Sequence, residues 1–162
     1  MAKVSQRQVL AKIAPHGTAI ADLPKFETFL FAQVSGGEIT ASVEKIYEGG
    51  KSSPTVLCAP FDIGDITLTA HYDDDRTETD SAQGLAFKVA KLREYVGKAY
   101  YDITVETYDC DLKKPGLDRI YSKALLVGLT EPDGDSSSGA PSTFALTFSV
   151  STVASKQATS TS

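Results

Sequence analysis

Apolar and polar residues alternate one for one through much of this chain, and that alternation restricts its possible folds more than any single motif does. EITASVEKIY sets Ile39, Ala41 and Val43 against Thr40, Ser42 and Glu44. DITLTAHY sets Ile66, Leu68, Ala70 and Tyr72 against Thr67, Thr69 and His71. YDITVETY (101–108), IYSKALLVGL (120–129) and STFALTFSVST (142–152) continue the theme, the last with Phe144, Leu146, Phe148 and Val150 opposite Ala145, Thr147, Ser149 and Ser151. Successive side chains on a strand point to opposite faces, so a period of two rich in Thr, Val, Ile and aromatics predicts half-buried β-strands. Ile39, Ala41, Val43, Ile66 and Leu68 are then expected in the core, with the Thr/Ser set facing away from it. FETFLFAQVSG supplies a further strand around 29–34.

One segment breaks the period. DSAQGLAFKVAKLREYVG places Leu85, Val89, Leu92 and Val96 on one helical face and Lys88, Lys91 and Arg93 off it. Asp80 or Ser81 can cap its start, and Gly97 is placed to close its end. A shorter helix is expected over 6–13. TEPDGDSSSGAPS (130–142) reads as a loop between strands, and SKQATSTS as a disordered polar tail. The expected architecture is mainly β, an antiparallel sandwich or barrel flanked by one α-helix. The expected organisation is an N-terminal arm over 1–25, one β domain over 26–154 and a tail over 155–162.

A chain of 162 residues has room for one domain with a real core. Its hydrophobic content of 41% and charged content of 23% are ordinary for a soluble protein. No apolar run approaches the ~20 residues of a membrane span, and MAKVSQRQVLAKIAPHG lacks the apolar stretch of a signal peptide, which argues against export. Cys58 and Cys110 are too few for a disulfide framework and read as reduced thiols. The net charge of −5 argues against tight wrapping of DNA or RNA, which needs a basic surface.

The motifs that could carry chemistry weaken on inspection. GGKSS (49–53) ends like a phosphate-binding loop, but the glycine required five residues before Gly50 is Lys45, and Pro54 with the β-formers Thr55, Val56 and Leu57 follows where a helix should open. It reads instead as part of a long excursion between two strands. YDDDRTETD starts like a calcium loop, yet Glu78 and Gly84 stand where that loop needs Gly and Glu. The bland alternative is a solvated connection whose carboxylates favour a helix N-terminus. His71 lies on a polar strand face near Asp73, and a strand-face histidine is most often a plain surface residue. No GxSxG elbow or Cys/His nucleophile pair is present. No catalytic residue, cofactor or metal ligand is assigned, and the chain reads as a non-enzyme. What needs explaining is the smooth Thr/Ser face, which suits ordinary solvent exposure or a wall past which something slides.

The order of several stretches resembles the tail tube proteins of long-tailed bacteriophages, which are similar in fold to the ring-forming tube protein of type VI secretion. VSGGEITASVEKIYEGG (34–50) looks like the family's strand that begins at Ser-Gly and ends in Tyr-x-Glu-Gly-Gly. FDIGDITLTAHYDDD looks like its next strand, and a helix, YDITVETYDCD, another strand, an acidic Ser-rich turn and TFALTFSV follow in the family's order. Ala70 and His71 depart from it, standing where many tube proteins are basic, and PTVLCAPFDIG lacks the usual Leu-Pro-Gly step.

The resemblance implies hexameric rings stacked into a tube, a structural virion component whose lumen conducts DNA without binding it specifically. It implies self-association, and contact with tape measure, baseplate and terminator proteins in a tail assembled in the bacterial cytoplasm, with no membrane anchor. Tyr47, Glu48, Gly49, Gly50, Lys51, Ser52, Ser53 and Pro54 would form an inter-subunit loop, in which Lys51 meets an acidic neighbour. Thr40, Ser42, Glu44, Thr67, Thr69 and His71 would line the lumen. The alternatives are a minor tube or baseplate ring, the tube of a phage-like contractile particle, or a monomeric β-sandwich that binds a ligand. Low helix and strand content is expected over 47–63, whose glycines, serines and prolines favour turns.

Overall fold

A computed structural model of the chain describes residues 9–17, 23–24, 26, 31, 33–71, 85–108, 117–131, 137 and 142–157. The strands are β1 (Val9–Pro15), β2 (Gln33–Gly36), β3 (Ile39–Ala41), β4 (Lys45–Ile46), β5 (Thr55–Val56), β6 (Phe61–Ile63), β7 (Ile66–His71), β8 (Tyr100–Thr107), β9 (Leu117–Thr130), β10 (Thr143–Ser149) and β11 (Ala154–Gln157). One helix, α1 (Leu85–Leu92), runs into a 3₁₀ turn, Arg93–Tyr95. The fold is mainly β with one flanking α-helix, as the alternation predicts.

The body is a seven-stranded antiparallel sheet in the order β1-β8-β9-β10-β7-β2, with β11 paired to the first half of β9. Its ends meet. Just before β2, Phe31 donates its N–H to the Ala11 carbonyl at 2.9 Å and accepts the Ala11 N–H at 3.0 Å. That bridge joins the two edges of a sheet whose twist has already curled it. An edge left open invites pairing with other chains, so this closure limits where such pairing can occur.

Alternation decides which side of the sheet is filled. Ile66, Leu68 and Ala70 of β7, Tyr101, Ile103 and Val105 of β8, and Phe144, Leu146 and Phe148 of β10 are all buried together. Phe31 packs edge-on to Phe144 with ring centroids 5.9 Å apart, and Tyr101 packs edge-on to Phe148 at the same separation. Each such side chain contributes about 1.5–3 kcal/mol through burial. Val89 and Leu92 present the buried face of α1, and Val96 is half-buried beyond it. Gly97 (φ +82°) ends the helical segment and donates its N–H to the Leu126 carbonyl. The candidate caps Asp80 and Ser81 lie outside the described residues, as do Tyr72, Asp73, Glu78, Gly84, Cys110 and most of the 130–142 loop.

Two expectations fail at the chain's ends. Residues 9–15 of the expected 6–13 helix form β1, paired along its length with β8, and Ala11 and Ile13 are buried against the core. VLAKIAP fits a short helical face and a strand almost equally well, and pairing with a distant strand settles it. Part of the expected disordered tail is β11, which pairs Ala154–Gln157 with Leu117, Asp118, Arg119 and Ile120. Its sequence carries little apolar signal, because the ladder and not a buried face holds it.

Candidate functional site: an apolar arm on a closed body

Between β2 and β7 the chain leaves the sheet. β3 pairs with β6 in the register Ile39–Ile63, Thr40–Asp62, Ala41–Phe61, and β4 pairs with β5 as Lys45–Val56 and Ile46–Thr55. The Leu57 N–H reaches the Glu44 carbonyl at 2.8 Å, which continues the ladder between the two pairs. The result is one two-stranded arm. At ~3.3 Å per residue, Ile39 to Tyr47 carries it about 25 Å from its root. The strands β5 and β6 correct the expectation of low strand content over 47–63. Main-chain pairing across the arm overrides the turn-forming composition.

The root is a tight neck. Gly36 and Gly37 both take left-handed φ, +87° and +76°, and a Cβ on Gly36 would stand 1.9 Å from the Asp65 carbonyl oxygen. Gly64 donates its N–H to the Glu38 carbonyl at 2.8 Å on the opposite side. Only glycine allows both the turn and the close approach here.

The tip is where GGKSS lies. Lys51 donates its N–H to the Glu48 carbonyl at 3.3 Å, its ammonium meets the Glu48 carboxylate at 2.5 Å, and Gly50 takes φ +86° in open space. The lysine is engaged with a carboxylate three residues back, in a turn between strands and not at a helix N-terminus. A phosphate cradle needs the opposite arrangement.

The arm corrects one prediction about burial. Ile39 and Val43, expected in the core, are 58% and 46% exposed, and Ala41 is exposed too. Ile46, Tyr47, Val56, Leu57 and Phe61 are exposed as well. Among the described residues, every exposed large hydrophobic side chain except Tyr100 and Val127 lies on this arm. Alternation along β3 and β6 still gives the arm two faces. Ile39, Ala41 and Phe61 share one with Ile63, while Thr40 and Asp62 share the other. Patches of this kind mark interaction surfaces, and a lone two-stranded hairpin is at best marginal in water.

The residues proposed as lumen-facing fall in two places. Thr40, Ser42 and Glu44 are exposed on the arm, whereas Thr67 and Thr69 are half-buried in the body wall and His71 is exposed at the end of β7. Thr67 lies beside Ser35 of β2 and Thr147 of β10, and its hydroxyl stands 3.5 Å from that of Thr147. Gln33, Thr69 and Ala145 form the next row, so apart from Gln33 this part of the wall is built of short side chains.

One polar cluster escaped the sequence reading. Asp102 sits where the β8–β9 register shifts, opposite Lys123, which holds φ +54°. Its carboxylate accepts the Lys123 N–H at 3.0 Å and meets His16 Nδ1 at 2.8 Å, while the Lys123 ammonium lies over the Tyr100 ring. This is a clamp on an irregular strand. Elsewhere Lys12 and the Tyr108 hydroxyl both contact the buried Glu106. Among the described residues no group of three or more His, Cys, Asp or Glu side chains could hold a metal ion, and no helix is long and apolar enough to cross a membrane. Cys58 is a free, exposed thiol on the arm.

No family model matches the sequence, and no curated protein matches it. Solved structures do. The chain is similar to a chain of the anti-feeding prophage cap, the tube-terminating cap, with a TM-score of 0.70, 14% identity, and coverage of 98% of this chain and 93% of that one. It is also similar to a chain of the six-fold symmetrised anti-feeding prophage baseplate, with a TM-score of 0.68 at 19% identity, covering 96% and 95% of the two chains. A chain of the sheath–tube complex of an extracellular contractile injection system in its extended state gives 0.67 at 16% identity, covering 96% and 93%. The likeness runs nearly end to end on both sides, and the fold of this chain is the tube-protein fold that the sequence resemblance implies.

Proposed function

We propose that this protein is a structural subunit of a tube. Copies associate into hexameric rings, and the rings stack into the tail tube of a bacteriophage or of a phage-like contractile particle. The observation that carries the reading is the arm: a hairpin with an uncovered apolar face, projecting from a body whose own core is complete and whose fold is that of tube-complex chains. A neighbouring subunit supplies the missing cover. The tip from Tyr47 to Pro54 is then an inter-subunit element, and the role is mechanical, with no catalytic chemistry.

The polar faces follow from the same logic. With the apolar face of the arm against a neighbour, Thr40, Ser42 and Glu44 turn towards the channel, joined by Thr67, Thr69 and His71. A lumen of short hydroxyls and carboxylates gives passing DNA nothing to hold, and the net charge of −5 repels phosphates. Replacing Glu44 by Lys adds an attractive charge at every level of the stack. Particles carrying Glu44→Lys should assemble and adsorb but release DNA slowly, with relief at higher ionic strength. Normal ejection at low salt would remove the lumen assignment and leave the tube assignment standing.

The protein would act in the particle after assembly in the host cytoplasm, in contact with tape-measure, baseplate and terminator proteins. A second reading, a ring present in few copies at a tube end, is favoured by the similarity to chains of cap and baseplate structures. Light scattering on concentrated protein followed by negative-stain microscopy tests both. Long tubes support the first, single rings support the second, and a chain that stays monomeric in every condition, tail initiator included, rejects both.

A further inference from the structure

We infer that a patch on the body, made by Lys98, Tyr100, Lys123, Leu125 and Val127, receives the acidic run 72–80 of a second copy, an inference that rests on the tube-subunit reading. Outside the arm, Tyr100 and Val127 are the exposed large hydrophobic side chains among the described residues. Tyr100 lies opposite Leu125 in the β8–β9 register. The pairing continues where Gly97 donates its N–H to the Leu126 carbonyl at 2.6 Å and Leu126 donates to the Ala99 carbonyl at 3.0 Å, which brings Lys98 beside Val127. Ala99, Tyr101, Ala124 and Leu126 are buried, so the residues between them face away from the core. Both ends of the patch are bulged. The β8–β9 register shifts at Asp102, setting Ser122 and Lys123 against it, and the β9–β10 register shifts at Val127. Lys123 holds φ +54°, with its ammonium 5.2 Å from the centre of the Tyr100 ring. Bulges re-aim side chains, and backbone strain of this kind gathers at functional sites. Here both bulges fall on one strand and set a cation and an aliphatic group around the same tyrosine.

Charge selects the occupant. Lys98 and Lys123 are exposed and form no ion pair among the described residues, whereas Asp102 and Glu131 are held by His16 and Arg93. The chain itself carries the matching group. YDDDRTETD (72–80) sets Asp73, Asp74, Asp75, Glu78 and Asp80 against the single Arg76, with a tyrosine at its head. An acidic run with an aromatic residue is complementary to an apolar patch edged by ammonium groups. The run lies outside the described residues, and in sequence it ends shortly before α1 begins at Leu85. From there α1 and its 3₁₀ turn carry the chain about 18 Å towards Gly97, at ~1.5 and ~2.0 Å per residue, and Lys98 follows. The acidic run therefore joins one end of the helical segment and the basic patch lies at the other. Two unlike surfaces in contact make a head-to-tail interface, which closes into a ring or continues as a filament. Closing a ring takes one such interface and stacking rings takes a second. The arm supplies one of them, and this contact is the other.

The test reverses charge in the full chain. The patch variant carries Lys98→Glu and Lys123→Glu, and the run variant carries Asp73→Lys, Asp74→Lys and Asp75→Lys. Circular dichroism and thermal melting first show that each is folded, and Lys98→Glu alone replaces the patch variant if the pair fails to fold. By light scattering and negative-stain microscopy, each variant should form tubes only at a concentration at least about tenfold above the wild-type threshold. Mixed in equal amounts, the two should assemble again near that threshold, because reversed patch then meets reversed run and the unaltered pair meets as before. Recovery confined to a single chain carrying both reversals would mean that the run covers its own patch, and would overturn the inference. Variants that assemble at the wild-type threshold, or that recover in neither form, would overturn it too and leave the tube reading in place. A wild type that never assembles would overturn the tube reading and this docking with it.

Discussion

The strands β3 and β7 have nearly the same pattern and opposite fates. EITASV and DITLTA both alternate branched aliphatics with Thr, Ser or acidic residues. In β7 the aliphatic face is sealed, with Leu68 fully buried, whereas in β3 Ile39 is 58% exposed. Alternation specifies a strand with two chemically different faces, and it does not specify which chain covers the apolar one. In the body the same polypeptide does so through β8, β10 and α1. In the arm, on our reading, another copy does. Ordering an exposed apolar hairpin makes sense only if its free energy is recovered on association, since the isolated hairpin is marginal.

The largest test of that difference pairs two phenylalanines. Phe148 is fully buried against Tyr101, and its replacement by Ala should cost about 3–5 kcal/mol. Phe61, 61% exposed on the arm, should cost under about 0.5 kcal/mol in the monomer on the same change, yet abolish assembly. Chemical denaturation and light scattering read the two effects separately. If Phe61→Ala destabilises the monomer as much as Phe148→Ala does, the arm is part of the core after all.

The glycines separate root from tip. Gly36→Ala adds left-handed strain of about 1–2 kcal/mol and drives a Cβ into the Asp65 carbonyl, which is backbone and cannot swing aside. We expect a loss of at least about 2 kcal/mol and an arm that is misdirected with its own sequence intact. Gly50→Ala meets no atoms, so its strain of about 1 kcal/mol stays in the turn. Equal effects of the two on assembly, with neither changing stability, would mean that the neck does not set the arm's direction.

Much of the body was legible for a physical reason. β7, β8 and β10 bury one face each, so their hydropathy had to follow the pleat, and α1 had to place Val89 and Leu92 together. What stayed hidden depends on non-local pairing. β1 was ambiguous within its own window, the Phe31–Ala11 bridge leaves no mark on composition, and β11 is held by its ladder. The arm was half legible. Alternation over 39–41 does give the arm two faces, but Ile39, Ala41 and Val43 are exposed where burial was expected, because a sequence carries no sign of whether the same chain folds back over an apolar face. The His16–Asp102 clamp had no signal at all, since the residues meet only through β1 and β8 pairing.

Tyr101 gives a smaller effect that belongs to the body alone. Its hydroxyl donates to the Pro24 carbonyl at 3.0 Å while its ring is fully buried. Tyr101→Phe should cost about 1–2 kcal/mol by leaving that carbonyl unpaired. Burial pushes the phenol well above its ordinary value, with a smaller contribution from Tyr95. The folded chain therefore holds this proton more tightly than the unfolded chain, whose phenols titrate near ~10. The stability linked to it is fully present below that pH and is lost as pH rises beyond it. Denaturation midpoints measured above pH 10 should fall less steeply for Tyr101→Phe than for the wild type, and parallel curves would contradict the assignment.

The smallest expected effect tests how independent the arm is. The Lys51–Glu48 pair closes the tip with both side chains exposed, where such pairs are worth about 0–1 kcal/mol. Lys51→Met keeps the length of the side chain and removes the charge. If the arm opens separately from the body, that loss appears only in local opening and leaves the global unfolding free energy alone. Amide exchange at Lys51 and Leu57, whose N–H groups bond to Glu48 and Glu44, should therefore quicken by up to about fivefold. Exchange in β7 and β10 should stay unchanged. A matching change at Leu68 or Leu146 would show the arm and body unfolding as one unit. The arm would then not be a hairpin waiting for its cover, and the contrast between β3 and β7 would need an explanation within the single chain.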